Sequence, residues 1–381
     1  MRIMVNTTTL NRGGALQASI SFILEAVKAG DNVDWHFVMS RESYDELTRF
    51  AVDADALNIR IIEPTPARNL NSRKSLLALE RNIVPDAVFT FFGPAYVNFS
   101  TRHLCGVADG WVTHSGRLAF SRLSTMEKIE FALRIARKAY WYRKADAWVV
   151  EAETTRSGLA GRCLVPRERI FVVPNNCGGH YLEKEETIRF PSGDEKLRIL
   201  CFSASYPHKN LDIMPYVVHE IRKRRPDLPF EFVLTLPADS VDYRFIEAKA
   251  RELGVSEHFV NVGVVPVIEG PDLYRGCHMA FVPTLLESFT ANYPEAMAMA
   301  RPIVTPDLPF SRDICRDAAL FYEAKNPVAA AGAILSLVDE RRTWERIVTN
   351  GVTVLAQLPT PRQKYESYLK ILSVLSQGNL C

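Results

Sequence analysis

The sequence predicts an α/β fold made of two successive Rossmann-like halves, and three observations carry that expectation. Short apolar runs alternate with amphipathic segments, as βαβ units and parallel sheets require. The alternation pauses once at a polar stretch and then restarts. At 381 residues the chain exceeds one ordinary core and suits two domains of usual size. Such halves outline twin domains facing a central cleft, with ligands beyond the carboxyl ends of the strands.

In the first half, "RIMVNTT" reads as a strand ending in the Gly13-Gly14 turn, and "ALQASISFILEAVKAG" as a helix closed by Gly30. "VDWHFVMS" is the next strand and "RESYDELTRFAVDA" a helix. "IRIIEP", "DAVFTFFG", "HLCGVAD", "AWVVEA" and "RIFVVPN" continue the strands. They are apolar runs rather than alternating patterns because parallel strands are covered on both faces. Residues 182–196, "LEKEETIRFPSGDEK", are charged and hold Pro and Gly, the composition of an interdomain connection. The second half then reads as strands "LRILCFSAS", "FEFVLTL", "FVNVGVV", "MAFVPTL" and "PIVTPD". The helices between and after them are "LDIMPYVVHEIRKRRP", "YRFIEAKARELG", "DLYRGC", "EAMAMA" and "PVAAAGAILSLVDE". The domains are therefore expected at 1–183 and 184–359, with an amphipathic helix from 360 to 381 crossing back to the first.

The composition, 47% hydrophobic and 24% charged, is that of a globular protein, and a net charge of +2 gives no support for a nucleic-acid partner. Seven cysteines (105, 163, 177, 201, 277, 315, 381) are odd in number and lack a C-x-x-C pair, which argues against a disulfide framework or zinc site and suits a reducing cytosol. The apolar run in "MRIMVNTTTLNRGG" is too short for a signal peptide, and no segment reaches about 18 uninterrupted apolar residues. A soluble, cytoplasmic protein is expected.

Chemistry is sought at the strand ends. In "PTLLESFTANYPEAMAMARPIV" Glu287 and Glu295 stand eight positions apart across a strand–loop–helix passage. Pro294 suits a first helical turn, and Glu295 in that turn is favoured by the helix dipole. The backbone N–H groups of Ser288 to Asn292 would suit a phosphate. The competing reading is one solvated loop acid and one ordinary first-turn Glu. A second strand end, "FSASYPHKN", brings Ser203, Ser205, His208 and Lys209; a lysine there would hold a diphosphate against the helix terminus, unless it is a solvated loop residue. The third, Gly13-Gly14, lacks the G-x-G-x-x-G spacing but allows close backbone approach to a ligand; plain turn chemistry explains it equally well.

Together these segments resemble the retaining glycosyltransferases of family 4, with the GT-B fold. The double glycine falls on Gly13 and Gly14, the middle signature on "ADAWVVEAETTRSGL…RIFVVPNNCGGHY", the phosphate lysine on Lys209, and the E-x7-E element on Glu287 and Glu295. The resemblance implies transfer of a sugar from a nucleoside-diphosphate sugar with retention at the anomeric carbon. It implies an acceptor-binding first domain and a nucleotide-sugar-binding second one. Glu295 would hold the ribose hydroxyls, Glu287 would lie by the donor sugar, and Lys209 with the backbone of Ser288, Phe289 and Thr290 would neutralise the diphosphate. Ser205 and His208 join the donor site, and Asp109 would contact a sugar. No metal and no cofactor are expected, the nucleotide sugar being a co-substrate. The Asp53-Ala54-Asp55 tripeptide, which matches a metal-binding D-x-D, is read as a decoy at the end of a surface helix. The chain departs from the pattern in several places. Ser203-Ala204-Ser205 stand where an arginine is usual, Thr290 and Ala300 replace glycines, and Val107-Ala108-Asp109-Gly110 lacks a histidine.

Residues 117–144 hold eight Lys/Arg against two Glu, with Phe131, Tyr140, Trp141 and Tyr142 interleaved. Either this basic helix rests peripherally on an anionic membrane, or its aromatics pack inward while its charges are solvated. The expected function is sugar transfer to a saccharide or lipid-linked acceptor in surface-polysaccharide or O-antigen synthesis. Two alternatives stay open: a nucleotide-sugar epimerase of the same fold, and a non-catalytic nucleotide-sugar-binding subunit.

Overall fold

The computed structural model describes residues 1–50, 52–183, 186–192 and 195–378. Seven strands form the first sheet: β1 (Arg2–Thr7), β2 (Asp34–Met39), β3 (Asn58–Ile61), β4 (Ala87–Thr90), β5 (His103–Gly106), β6 (Ala147–Val150) and β7 (Ile170–Val172). Their order is β3-β2-β1-β4-β5-β6-β7. The second sheet holds β8 (Leu197–Cys201), β9 (Phe230–Leu234), β10 (Phe259–Asn261), β11 (Met279–Phe281), β12 (Ile303–Pro306) and β13 (Ala319–Tyr322), in the order β10-β9-β8-β11-β12-β13. The described pairings in both sheets are parallel. The strands β4, β6 and β9 are buried at every position, which is why they read as largely apolar runs; the exception inside β9, Glu231, is paired with Lys196 and Arg198.

The chain divides into two compact units. The first comprises residues 1–114, 125–175 and 359–381; the second comprises 115–124 and 176–358. The polar stretch 182–196 thus falls inside the second unit, and residues 115–124 group with that unit although they sit in the first half of the sequence.

The helix Pro361–Ser376 belongs to the first unit for a packing reason. Tyr365, Tyr368, Leu372 and Leu375 are buried in one cluster with Phe22, Phe37, Phe89 and Phe91. Burying such side chains contributes roughly 1.5–3 kcal/mol each. Thr360 and Gln363 form a capping box that starts the helix. One turn in, Lys364 Nζ donates to Asn175 Oδ1 at 2.6 Å and to Glu151 Oε1 at 3.4 Å, an ion pair whose side chains are 11% and 5% exposed.

The second unit's core is formed by Leu197, Ile199, Phe230, Phe232, Met279 and Phe281 from its strands, with Met214, Val217, Ile334 and Trp344 from its helices. The six described cysteines are unpaired and buried; Cys381 lies outside the described residues. Among the described residues, no helix is long and apolar enough to cross a membrane. The helix Arg41–Leu47 ends before Asp53, and Ala54–Ala56 is a separate short turn, so the D-x-D tripeptide is not at a helix end; the Asp55 side chain lies outside the described residues.

Candidate functional site

In the second sheet, connections run outward in both directions from between β8 and β11. The loops that follow these two strands therefore diverge and leave a crevice at their carboxyl ends, the place where ligands bind in open α/β sheets. Lys209 follows β8 and Glu287 follows β11. The two loops are laced together: Leu285 N donates to His208 O at 2.8 Å, and Asn210 Nδ2 to Pro283 O at 3.3 Å. Asn210 takes a left-handed conformation, φ 56°, which turns the chain just after Lys209. This lacing brings Lys209 Nζ to 2.5 Å from Glu287 Oε1, and Thr284 Oγ1 donates to the same oxygen at 3.0 Å. The side chains of Lys209 and Glu287 are only 18% and 12% exposed, so the pair sits in a crevice rather than on a solvated loop.

Glu295 lies on the helix Asn292–Ala298, which opens two residues before Pro294, and it falls in the first turn as expected. Asn292 fixes the helix start. Its side-chain amide donates to Phe202 O just after β8, and its carbonyl accepts from the Tyr274 hydroxyl at 3.4 Å. Glu295 is buried, and burial pushes its carboxyl up to about 7, with a Tyr274 hydrogen bond and the Lys209 charge pulling the other way. Its Oε2 has no protein hydrogen-bond partner, and neither has the buried Tyr181 hydroxyl, a group within electrostatic reach of Glu295. Unsatisfied buried polar atoms such as these are costly unless something else bonds them.

The remaining expected residues of this unit lie around these. Ser288 and Thr290 are buried, and Phe289 packs against the cluster containing Tyr293, Ala296 and Tyr274. His208 stacks on Tyr206, with ring centroids 5.8 Å apart. Ser205 Oγ donates to Asp242 Oδ2 at 2.6 Å, which turns its hydroxyl to a structural partner.

In the first unit the order reverses between β1 and β4. Gly13 lies beyond β1 at φ 77° and caps the helix Gly14–Ala29. A Cβ on either glycine would meet nothing within 4 Å, so open space lies over that turn. Asp109 follows β5 and caps Gly110–Thr113, with Oδ1 accepting from Val112 N at 3.3 Å. Its Oδ2 accepts from Lys138 Nζ at 2.6 Å. Burial lowers the Lys138 ammonium, but the charge and hydrogen bond of Asp109 outweigh that and hold it above its ordinary value.

Sequence reasoning missed four contributors. Tyr181 and Tyr274 surround Glu295, although their segments "GGHY" and "DLYRGC" stand out in the sequence for other reasons. Arg122, read as part of a basic helix, lies in the 115–124 segment. Its Nη2 donates to Asp242 Oδ1 at 2.6 Å, and its Nε lies 3.2 Å from Asp212 Oδ1. Asp242 is thus shared by Ser205 and Arg122 beside the Lys209 loop. No local pattern announces these long-range pairings.

Residues 183–353 match the sequence model of the family described as glycosyl transferases group 1. Two relatives align. The O-antigen chain mannosyltransferase RfbU of Salmonella typhimurium is 22% identical over 57% of this chain and 52% of its own length. The 2-deoxystreptamine glucosyltransferase of Streptomyces kanamyceticus is 22% identical over 68% of this chain and 66% of its own. The chain therefore spans about half the length of the first relative. Among solved structures, sucrose-phosphate synthase from Thermosynechococcus elongatus superposes with a TM-score of 0.73 at 13% identity, covering 99% of this chain and 100% of that one. Anabaena HepE in complex with UDP and glucose superposes with a TM-score of 0.70 at 12% identity, over 98% and 99%. The chain has the fold of these proteins, the α/β architecture of two parallel Rossmann-like sheets called GT-B.

Proposed function

We propose that this chain is a retaining glycosyltransferase of family 4 type, which moves a sugar from a nucleoside-diphosphate sugar to a saccharide acceptor. The observation that carries the reading is the buried carboxylate of Glu295, whose Oε2 has no protein hydrogen-bond partner and which lies within electrostatic reach of Lys209, the partner of Glu287. Adjacent ribose hydroxyls would donate to Glu295 and satisfy what the protein leaves unbonded. A diphosphate arriving next to Lys209 would compete for its ammonium, freeing Glu287 to accept from donor-sugar hydroxyls and to face the positive charge that develops at the anomeric carbon. Preorganised charge of this kind is worth most in a crevice closed to water.

In this mechanism the bond from the anomeric carbon to the diphosphate oxygen breaks as the acceptor oxygen attacks from the same face. The departing phosphate oxygen takes the acceptor's proton and the acceptor oxygen is the nucleophile, so no protein nucleophile is required; Lys209, in place of a divalent ion, would neutralise the departing diphosphate. Asp109, held by Lys138, is the candidate to contact a sugar on the first unit, and the Gly13-Gly14 turn leaves backbone open to a ligand. The family match over 183–353 supports sugar transfer, and the O-antigen mannosyltransferase relative supports a saccharide acceptor in surface-polysaccharide synthesis; a lipid-linked form of that acceptor, met on the cytoplasmic side of the membrane, is part of the proposal.

The test is a thermal-shift screen of UDP-, GDP- and dTDP-sugars, followed by donor hydrolysis and transfer assays with and without a chelator. One donor class should stabilise the protein, and Glu295→Ala should abolish that shift. Lys209→Ala should retain part of the shift and lower turnover by about 10²–10³-fold. Equal shifts in wild type and the Glu295 variant would remove the assignment.

A further inference from the structure

The helix Thr125–Tyr142 is 18 residues long and buries only Tyr142. Its inward face is satisfied. Phe131 packs on Trp111 with centroids 4.5 Å apart, Trp141 on Tyr96 at 6.1 Å, Lys138 pairs with Asp109, and the Tyr142 hydroxyl donates to Gly93 O at 2.7 Å. The outward face is not covered by protein. Met126 is 69% exposed, Ile129 52%, Leu133 68% and Tyr140 53%. Steps of three, four and seven residues put these four side chains on one stripe, which extends about 21 Å along the helix at its standard rise.

Charge decides what would cover the stripe. Between 125 and 144 stand Lys128, Arg134, Arg137, Arg143 and Lys144, besides Lys138 that Asp109 neutralises, against only Glu127 and Glu130, a surplus still larger than the +2 of the whole chain. Lys144 Nζ lies over the Tyr140 ring, 4.8 Å from its centre, which sets a cation at the edge of the stripe. The helix is not apolar enough to cross a bilayer. A nucleic acid would seek stacked aromatics, but three of the four stripe residues are not aromatic, and Trp141 and Tyr142 face inward. An apolar stripe with a basic rim fits an interfacial helix lying flat on negatively charged headgroups.

We propose that Met126, Ile129, Leu133 and Tyr140 dock this protein onto an anionic lipid surface, with the surrounding Lys and Arg side chains supplying the preference for negative charge. The apolar contact comes from the aliphatic stripe, not from the interleaved aromatics that first draw attention in the sequence.

The experiment is co-sedimentation of the full chain with vesicles of phosphatidylcholine alone or mixed with phosphatidylglycerol. Binding to the anionic vesicles should be at least tenfold stronger and should weaken at high salt, because exposed charges are screened. Ile129→Glu/Leu133→Glu should lower binding at least tenfold with an unchanged melting temperature. Lys128→Glu/Arg134→Glu should erase the preference for anionic vesicles and the salt dependence. Equal binding to both vesicle types would overturn the proposal, as would wild-type binding by the Ile129/Leu133 variant. Self-association in solution that this variant abolishes, with no vesicle binding by the wild type, would assign the stripe to a second copy of the chain instead. No donor or acceptor is present in the assay, so its failure leaves the sugar-transfer reading standing.

Discussion

Glu295 offers a quantitative test of the proposed donor site. Its carboxyl is pushed from 4.5 up to about 7, chiefly by burial. An acid raised in the folded state favours folding most below its unfolded pKa and loses that contribution as pH rises through the folded value. At about 1.36 kcal/mol per unit, the full loss is about 3 kcal/mol, of which about 1.3 kcal/mol falls between pH 6 and pH 8. For a unit of about 200 residues this corresponds to about 3 °C in melting temperature. Glu295→Gln cannot titrate, so the melting difference, wild type minus variant, should shrink by about that amount over the window. If Glu295 holds the ribose hydroxyls as proposed, the same titration should gate binding, because the ionised carboxylate is the better acceptor for two hydroxyls. Its ionised fraction climbs from about a tenth at pH 6 to about nine tenths at pH 8, so donor affinity should rise about tenfold in wild type and stay flat in the variant. Melting curves can be recorded by calorimetry, and affinities by titration of the donor found in the screen. Parallel pH profiles for wild type and Glu295→Gln would refute the claim that a buried, titrating carboxylate sits in the site.

Lys364→Met leaves Glu151 buried without its cation and should cost about 3–5 kcal/mol in urea unfolding, whereas adding Glu151→Gln should recover much of that loss. A cost below about 1 kcal/mol for Lys364→Met would show that the pair is dispensable. Gly14→Ala places a methyl where no protein atom lies within 4 Å. Stability should therefore change by no more than about 0.5 kcal/mol, while transfer should fall at least tenfold if ligand occupies that space; full activity in the Gly14→Ala variant would take this turn out of the site.

Much of the fold was legible because parallel strands buried on both faces announce themselves as apolar runs. Every strand read from the sequence is present, although β8 and β10 stop at Cys201 and Asn261, short of the apolar runs that announce them. β13 escaped notice because Leu320 and Phe321 are only partly buried and the strand is four residues long. The helix Leu70–Ile83 escaped it because few of its positions are buried and those include Ser72 and Glu80; the helix Arg341–Leu355 was legible in the spacing of Trp344, Ile347, Val348, Gly351 and Val354 and was passed over. The unit boundary at Asn175 was hidden because polar composition pointed instead to 182–196. At the site, Lys209, Glu287 and Glu295 could be marked because strand ends are where ligands bind in such sheets. Their mutual geometry could not be. The pairing of Lys209 with Glu287 depends on β8 lying next to β11, and the partners of Glu295 arrive from positions 181 and 274, beyond any local window. The left-handed backbone at Ala300, φ 52°, gives a physical reason for a glycine at such a position, a reason invisible in the letters alone.

The packing of the helix Pro361–Ser376 into the first unit has a consequence for biogenesis. The second unit has all of its residues once position 358 has been translated. The first unit still lacks Tyr365, Tyr368, Leu372 and Leu375 at that moment, and its aromatic cluster around Phe22 and Phe89 stays open. A ribosome therefore delivers the later-encoded unit ready to fold while the earlier-encoded one waits, which reverses the usual amino-to-carboxyl order. A nascent chain that stalls in this interval exposes the greasy flank of its oldest part, the state that chaperones would be recruited to shield.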